Sequence, residues 1–124
     1  MLALAEFIAR RYSGKVVEVG IGSYVKVAEE LVKRGLDVYA TDVVVRKVPR
    51  GVRFFLDDVT SPKMEIYEGA SLVYSIRPPP ELYSAIARVA ELVGADCIIK
   101  PLHEVPRGRL LNYRGVSFYL IERH

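Results

Sequence analysis

The sequence predicts an α/β three-layer sandwich: a mainly parallel sheet between two helical layers, closed by a C-terminal antiparallel hairpin. Short β-branched runs alternate with helical periodicities through most of the chain, the pattern of parallel strands joined by right-handed crossovers. Glycine, acidic or basic residues stand at the end of each run, where a parallel sheet collects its ligand contacts. Beyond residue 108 the alternation stops, and two strand-like segments flank the turn Tyr113-Arg114-Gly115.

Each element has its own local cause. Met1–Tyr12 sets Leu4, Ala5, Ile8 and Tyr12 at helical spacing, with Glu6 and Arg10 as an outer i,i+4 pair, and Ser13-Gly14 ends it. Lys15–Val19 is a strand running straight into Gly20-Ile21-Gly22. Val27, Ala28, Leu31 and Val32 predict a helix from about Ser23 to Arg34, stopped by Gly35. Leu36–Thr41 is a second strand, ending at Asp42. The basic segment Val43–Gly51, interrupted by Pro49, is short for a crossover helix and predicts an irregular link.

Val52–Leu56 is a third strand leading into Asp57-Asp58, and Thr60–Gly69 predicts a loop with one helical turn. Ser71–Ile76 is a fourth strand, stopped by Pro78-Pro79-Pro80. Pro80 opens a helix to about Val93, with Leu82, Ala85, Ile86, Val89, Ala90 and Val93 inward and Gly94 at its end. Ala95–Lys100 is a short apolar strand of the kind buried on both faces. Arg109–Asn112 and Val116–Glu122 complete the hairpin.

A chain of 124 residues makes one domain, 1–124, and its 51% apolar and 27% charged residues exclude a disordered chain. No apolar run reaches the roughly 18 residues of a membrane span. The first twelve positions carry Glu6, Arg10 and Arg11, unlike a signal peptide, so a cytoplasmic protein without membrane contact is expected. Cys97 stands alone, which rules out a disulfide framework and reads as a buried small hydrophobe. No His, Asp or Glu set has metal-ligand spacing, so no metal is expected. His103 reads as an exposed loop histidine, and His124 as a disordered terminus.

The candidate site lies at the carboxyl ends of the strands, where the strand order of such sheets reverses. Gly20 and Gly22 let the chain turn tightly and a ligand approach the backbone amides. The first turn of the next helix adds unpaired N–H groups. Asp42, about 20 residues further on, stands where a carboxylate accepts both hydroxyls of a ribose. Asp57 or Asp58, one strand on, can accept from the exocyclic amine of adenine. These residues describe a nucleoside pocket in a Rossmann-like sheet. The third glycine of a dinucleotide fingerprint would fall at Val25, whose branched side chain opposes close packing beneath a pyrophosphate and so opposes NAD.

The segment Glu18-Val19-Gly20-Ile21-Gly22 resembles the E/D-x-G-x-G motif of class I S-adenosylmethionine-dependent methyltransferases, and the resemblance extends over residues 14–122. It implies that Glu18 orients the methionine end, Gly20 and Gly22 form the loop, Asp42 holds the ribose, and Asp58 or Asp57 contacts adenine. Ser75–Pro80 then takes the place of the substrate-side motif, with Ser75 and Arg77 as catalytic candidates. More narrowly, EVGIG, DDVTSP and YSIRPPPEL resemble an uncharacterised archaeal family of short Rossmann-like proteins. Two departures stand out. Tyr24 replaces a frequent third glycine, and Arg77-Pro78-Pro79-Pro80 lacks the Asn and Tyr of the amine-methylating N-P-P-Y motif. Arg77 suits a phosphate or carboxylate instead.

Two functions follow as expectations. One is a minimal methyltransferase acting on RNA or an anionic metabolite, completed by a protein partner or a homodimer. The other is a non-catalytic nucleoside-binding module. An NAD-binding regulatory domain is a third, weaker reading. Arg46, Lys47, Arg50 and Arg53, and a second basic group of Lys100, Arg107, Arg109 and Arg114, read as solvated loop charges, and the eight tyrosines as core edges rather than stacking platforms.

Overall fold

The computed structural model describes residues 1–123, so the expectation for His124 lies outside the described residues. Seven strands form one sheet: β1 (Lys15–Val19), β2 (Asp37–Asp42), β3 (Arg53–Leu56), β4 (Leu72–Ile76), β5 (Asp96–Lys100), β6 (Arg109–Tyr113) and β7 (Val116–Ile121). Their order is β3-β2-β1-β4-β5-β7-β6. The first five are parallel, and β7 inserts antiparallel between β5 and β6. The chain order reverses between β1 and β4, at the mouth of the candidate site. This is the expected mainly parallel Rossmann-like sheet with its closing hairpin.

Alternation along the central strands supplies two core layers. Val16, Val38, Leu72, Ile98 and Phe118 pack beneath α1 (Leu2–Arg11) and α2 (Lys26–Lys33), against Leu4, Ile8, Val27 and Leu31. Val17, Val73, Cys97 and Ile99 face the other way, against Ile86, Val89 and Ala90 of α3 (Tyr83–Val93) and Tyr67. Cys97 is buried, and that burial pushes its thiol up to about 12, so it behaves as a small hydrophobe.

The structure differs from the sequence reading in four places. The second helix begins at Lys26 rather than Ser23, because residues 21–22 are tied to β2 first: Ile21 N–H donates to the Thr41 carbonyl at 3.0 Å and Gly22 N–H to Asp42 at 2.8 Å. The helix after the prolines opens as a 3-10 turn, Pro80–Leu82, and becomes α-helical only at Tyr83. The fifth strand is not wholly apolar, since Asp96 is buried and accepts from Tyr12 Oη at 2.7 Å and from the Arg123 amide at 2.8 Å. Tyr67 and Tyr74 are fully buried core residues, not core edges.

Helical cover is uneven. The links 43–52 and 101–108 carry no helix, and only the 3-10 turn Met64–Ile66 lies between β3 and β4. No helix of the described residues is long and apolar enough to cross a membrane.

Candidate nucleoside site at the strand ends

β1 ends in a loop where Gly20 (φ 67°) and Gly22 (φ 58°) adopt the left-handed conformation that side chains disfavour. A Cβ at Gly20 would meet nothing within 4 Å. The glycine is therefore required by backbone conformation, and open space lies beside it. Ile21 between them is buried and anchors the loop.

Asp42 closes β2 with 7% of its surface exposed. Its Oδ2 accepts from Gly22 N–H at 2.8 Å and from Arg46 Nε at 3.1 Å, while Oδ1 accepts from Val43 N–H at 2.8 Å. The structure thus brings the glycine loop and the predicted ribose carboxylate into direct contact. It also corrects the reading of Arg46 as a solvated loop charge. Arg46 closes onto Asp42 from the irregular link, and the only sequence signal for it was the Asp42–Arg46 spacing inside a basic run.

The two aspartates after β3 part company. Asp57 is buried, and its oxygens accept from Lys63 N–H at 2.9 Å and Tyr67 Oη at 2.7 Å, pinning the loop to the core. Asp58 is exposed, and the Thr60 hydroxyl (2.7 Å) and amide (2.9 Å) both bond its Oδ1, holding the carboxyl below its ordinary range. Val43, Leu56, Asp57, Asp58, Ser61 and Lys63 line an open cleft of about 340 Å³. Its apolar walls, Val43 and Leu56, are largely exposed.

Glu18 lies beneath the loop, almost wholly buried, and Tyr74 Oη bonds its Oε1 at 2.8 Å. Burial raises its carboxyl to about 8 although the tyrosine favours the charged form, so Glu18 is mostly protonated at neutral pH. Ser75 is buried and donates to the Val19 carbonyl at 2.7 Å. Arg77 follows β4 in the left-handed region (φ 53°), unusual for a side-chain-bearing residue, with its N–H on the Lys100 carbonyl at 2.6 Å. Its guanidinium lies 5.9 Å from the Tyr24 ring centroid and has no ion-pair partner among the described residues. His103 is exposed on the link between β5 and β6, which also carries the exposed Arg107.

Two further clefts, of about 360 and about 540 Å³, open beside α3 and β7, where the link before β6 carries no helix. None of the three clefts is lined by Gly20, Gly22 or Asp42, but the strand-end cleft begins at Val43, the residue after Asp42. Among the described residues, no group of three or more His, Cys, Asp or Glu gathers in a way that could hold a metal ion.

Comparison with known proteins sets the fold in a family. The profile described as the uncharacterised protein family UPF0146 matches residues 1–123. A UPF0146 protein of Archaeoglobus fulgidus is 60% identical over 124 residues, covering 99% of this chain and 95% of its own length. One from Pyrococcus abyssi is 41% identical over 127 residues, covering 96% and 97%. Among solved structures, a candidate S-adenosyl-L-methionine-dependent methyltransferase from Methanococcus maripaludis superposes with a TM-score of 0.67 at 11% identity, covering 98% of this chain and 84% of that one. An S-adenosyl-L-methionine methyl transferase from Silicibacter pomeroyi does so at 0.58 and 18% identity, covering 98% and 89%. These likenesses are of fold.

Proposed function

This chain belongs to the UPF0146 family, and we propose that it is a minimal methyltransferase-like protein holding S-adenosylmethionine at the carboxyl ends of β1–β3. One observation carries this reading. The amide of Gly22 and the carboxylate of Asp42 meet beside the open space at Gly20. A near-buried carboxylate beside a left-handed glycine turn is the donor–acceptor set a ribose needs. In this reading Gly20 and Gly22 face the ligand with backbone, and Asp42 accepts the ribose hydroxyls once Arg46 swings aside. Val43 and Leu56 flank adenine. Asp58 accepts its amine through Oδ2, which has no hydrogen bond among the described residues, whereas Asp57 frames the loop through Tyr67 and Lys63.

When bound, S-adenosylmethionine supplies a methyl group already activated by its sulfonium, so positioning is the main task left to the protein. Glu18, buried beneath the loop, is placed to orient the methionine end, and a cation beside it would favour its ionised form. Arg77 presents a guanidinium without an ion-pair partner among the described residues to a phosphate or carboxylate of the acceptor. A non-catalytic binding module is the second reading. It is favoured by Ser75, whose hydroxyl is committed to the Val19 carbonyl and so is not available as an acid or base. Val25, at the N-cap of α2, continues to oppose NAD.

Isothermal titration calorimetry with S-adenosylmethionine, S-adenosylhomocysteine and NAD tests the pocket. Both sulfur compounds are expected to bind and NAD is not. NAD binding with no response to S-adenosylhomocysteine would overturn the reading. Transfer of labelled methyl to cellular RNA or metabolites then separates enzyme from module.

A further inference from the structure

Among the described residues, two that carry side chains adopt a left-handed backbone, and both are arginines: Arg77 after β4 (φ 53°) and Arg114 in the hairpin turn (φ 49°). Glycine would make either turn at no steric cost, so what an arginine contributes there is its side chain. Arg114 uses its side chain inside the fold, pairing with Glu6 of α1 at 3.3 Å. Arg77 has no such partner among the described residues. Its guanidinium lies over the half-buried Tyr24 ring, which packs against the core beneath α1 and α2.

Lys100 stands beside it. β4 and β5 run in parallel register with Ile76 opposite Lys100, and the Arg77 amide donates to the Lys100 carbonyl. Strand alternation sets Lys100 on the face of Ile98, the side of the sheet that carries Tyr24 and α2. It too has no ion-pair partner among the described residues. The carboxylates on this side are largely taken: Glu6 by Arg114, Glu30 by Arg34 at 2.9 Å, Asp42 by Arg46, while Glu18 is buried on Tyr74. Glu29 is exposed on α2, with Lys26 one turn before it. Glu104 lies on the link tied to α3 through Tyr83, and Glu81 on the 3-10 turn before α3.

We propose that Arg77 and Lys100 form the seat of a terminal phosphate on the methyl acceptor; the inference rests on the reading of these strand ends as a methyl-transfer site. A phosphate monoester carries close to two negative charges at neutral pH and so matches two cations. A carboxylate carries one and leaves a cation unmatched. Tyr24 holds a face of the guanidinium, which leaves its N–H fork free to take two phosphate oxygens. Lys100 adds a point charge from the adjacent strand.

NMR titration of the arginine Nε–H and backbone amide signals with inorganic phosphate tests the seat, with acetate at equal ionic strength as the carboxylate arm. Phosphate is expected to shift Arg77 saturably, and acetate much less. Arg77→Gly suits the turn and should keep its melting temperature, but abolish the phosphate response of the Tyr24 and Lys100 amides. Lys100→Gln should weaken phosphate binding roughly 10-fold, and Tyr24→Leu about 2- to 5-fold. Ribose 5-phosphate and a 5′-phosphorylated RNA oligonucleotide then tell a small metabolite from an RNA end as the carrier. Phosphate should still bind when S-adenosylhomocysteine saturates the protein. Competition between the two would put Arg77 on the cofactor and overturn the proposal. So would a shift that never saturates, acetate binding as tight as phosphate, or unchanged phosphate affinity in Arg77→Gly. A chain that takes phosphate at Arg77 but no S-adenosylhomocysteine would overturn the nucleoside reading and leave the phosphate seat standing.

Discussion

Asp42 and Asp96 are nearly equally buried, at 7% and 8% exposure, yet they sit at opposite ends of the sheet in opposite circumstances. Asp96 is held by groups from distant elements, the Tyr12 hydroxyl from the end of α1 and the Arg123 amide beyond β7, while the surface guanidinium of Arg11 stands off at 4.0 Å, outside hydrogen-bond reach. Asp42 is held by the amide of its neighbour Val43, by the Gly22 amide of the loop after β1, and by Arg46, whose side chain is 39% exposed and belongs to an irregular link. Burial alone therefore does not mark a functional carboxylate. On the proposed reading, what separates the two is whether their partners can be exchanged for a ligand.

Tyrosine draws the same line elsewhere. Tyr12 pairs with Asp96, Tyr67 with Asp57 and Tyr74 with Glu18, and in each case burial raises the phenol further above its ordinary range. Such pairs satisfy a buried carboxyl with a partner that has nowhere else to go. Asp42 has no tyrosine. Its partner of variable position is a guanidinium at the surface.

The largest way to probe this contrast is through pH at Glu18. Its carboxyl titrates near 8 when folded, against an ordinary value of 4.5, so the folded chain binds the extra proton between those values. Stability should be highest at the acidic end of that window and fall as pH rises through it, by on the order of 4 kcal/mol in total. Urea unfolding at pH 5 and pH 8 checks this, and Glu18→Gln should flatten the decline. A flat wild-type profile would mean that the buried carboxyl is better solvated than its surroundings indicate.

Next in size, Asp96→Ala leaves the Tyr12 hydroxyl and an amide without a partner and should cost about 3 kcal/mol of unfolding free energy. Its nucleoside affinity should be unchanged. Asp42→Ala reverses the pattern, weakening S-adenosylhomocysteine binding by about 1.5–3 kcal/mol, the range of a charge-assisted hydrogen bond, with a smaller effect on stability. If the two alanine variants behaved alike in both measurements, the contrast between the ends of the sheet would collapse. The smallest effect belongs to Arg46→Met. Removing a half-exposed ion-pair partner frees Asp42 and should tighten nucleoside binding by no more than about 1 kcal/mol. Weaker binding would instead make Arg46 a ligand contact.

Most strands were readable to within a residue because their causes are local. Lys15–Val19 is β-branched and bounded by Gly14 and Gly20, and it forms over the predicted span. The start of α2 was not, because the bonds that hold residues 21 and 22 come from β2. The candidate site was legible as a set of residue types at strand ends, but which of them are tied into the core was not. Asp57 and Asp58 are neighbours with the same chemistry, and only the position of Tyr67 commits the first of them to the core. The stacked Tyr39 and Phe55 were equally hidden, since their contact depends on the β2–β3 register.

By itself the sequence determined the layers, the order of the elements and the arrival of Gly20, Gly22 and Asp42 at one end of the sheet. Periodicity, β-branching and glycine's tolerance of positive φ act over a few residues and need no distant partner. Only the tertiary structure decided which carboxyls are committed and which stay exchangeable. Those partners meet across 56 residues for Glu18 and Tyr74 and across 84 for Asp96 and Tyr12. A hydrogen bond closed over such distances is set by sheet register and packing, which no local pattern records.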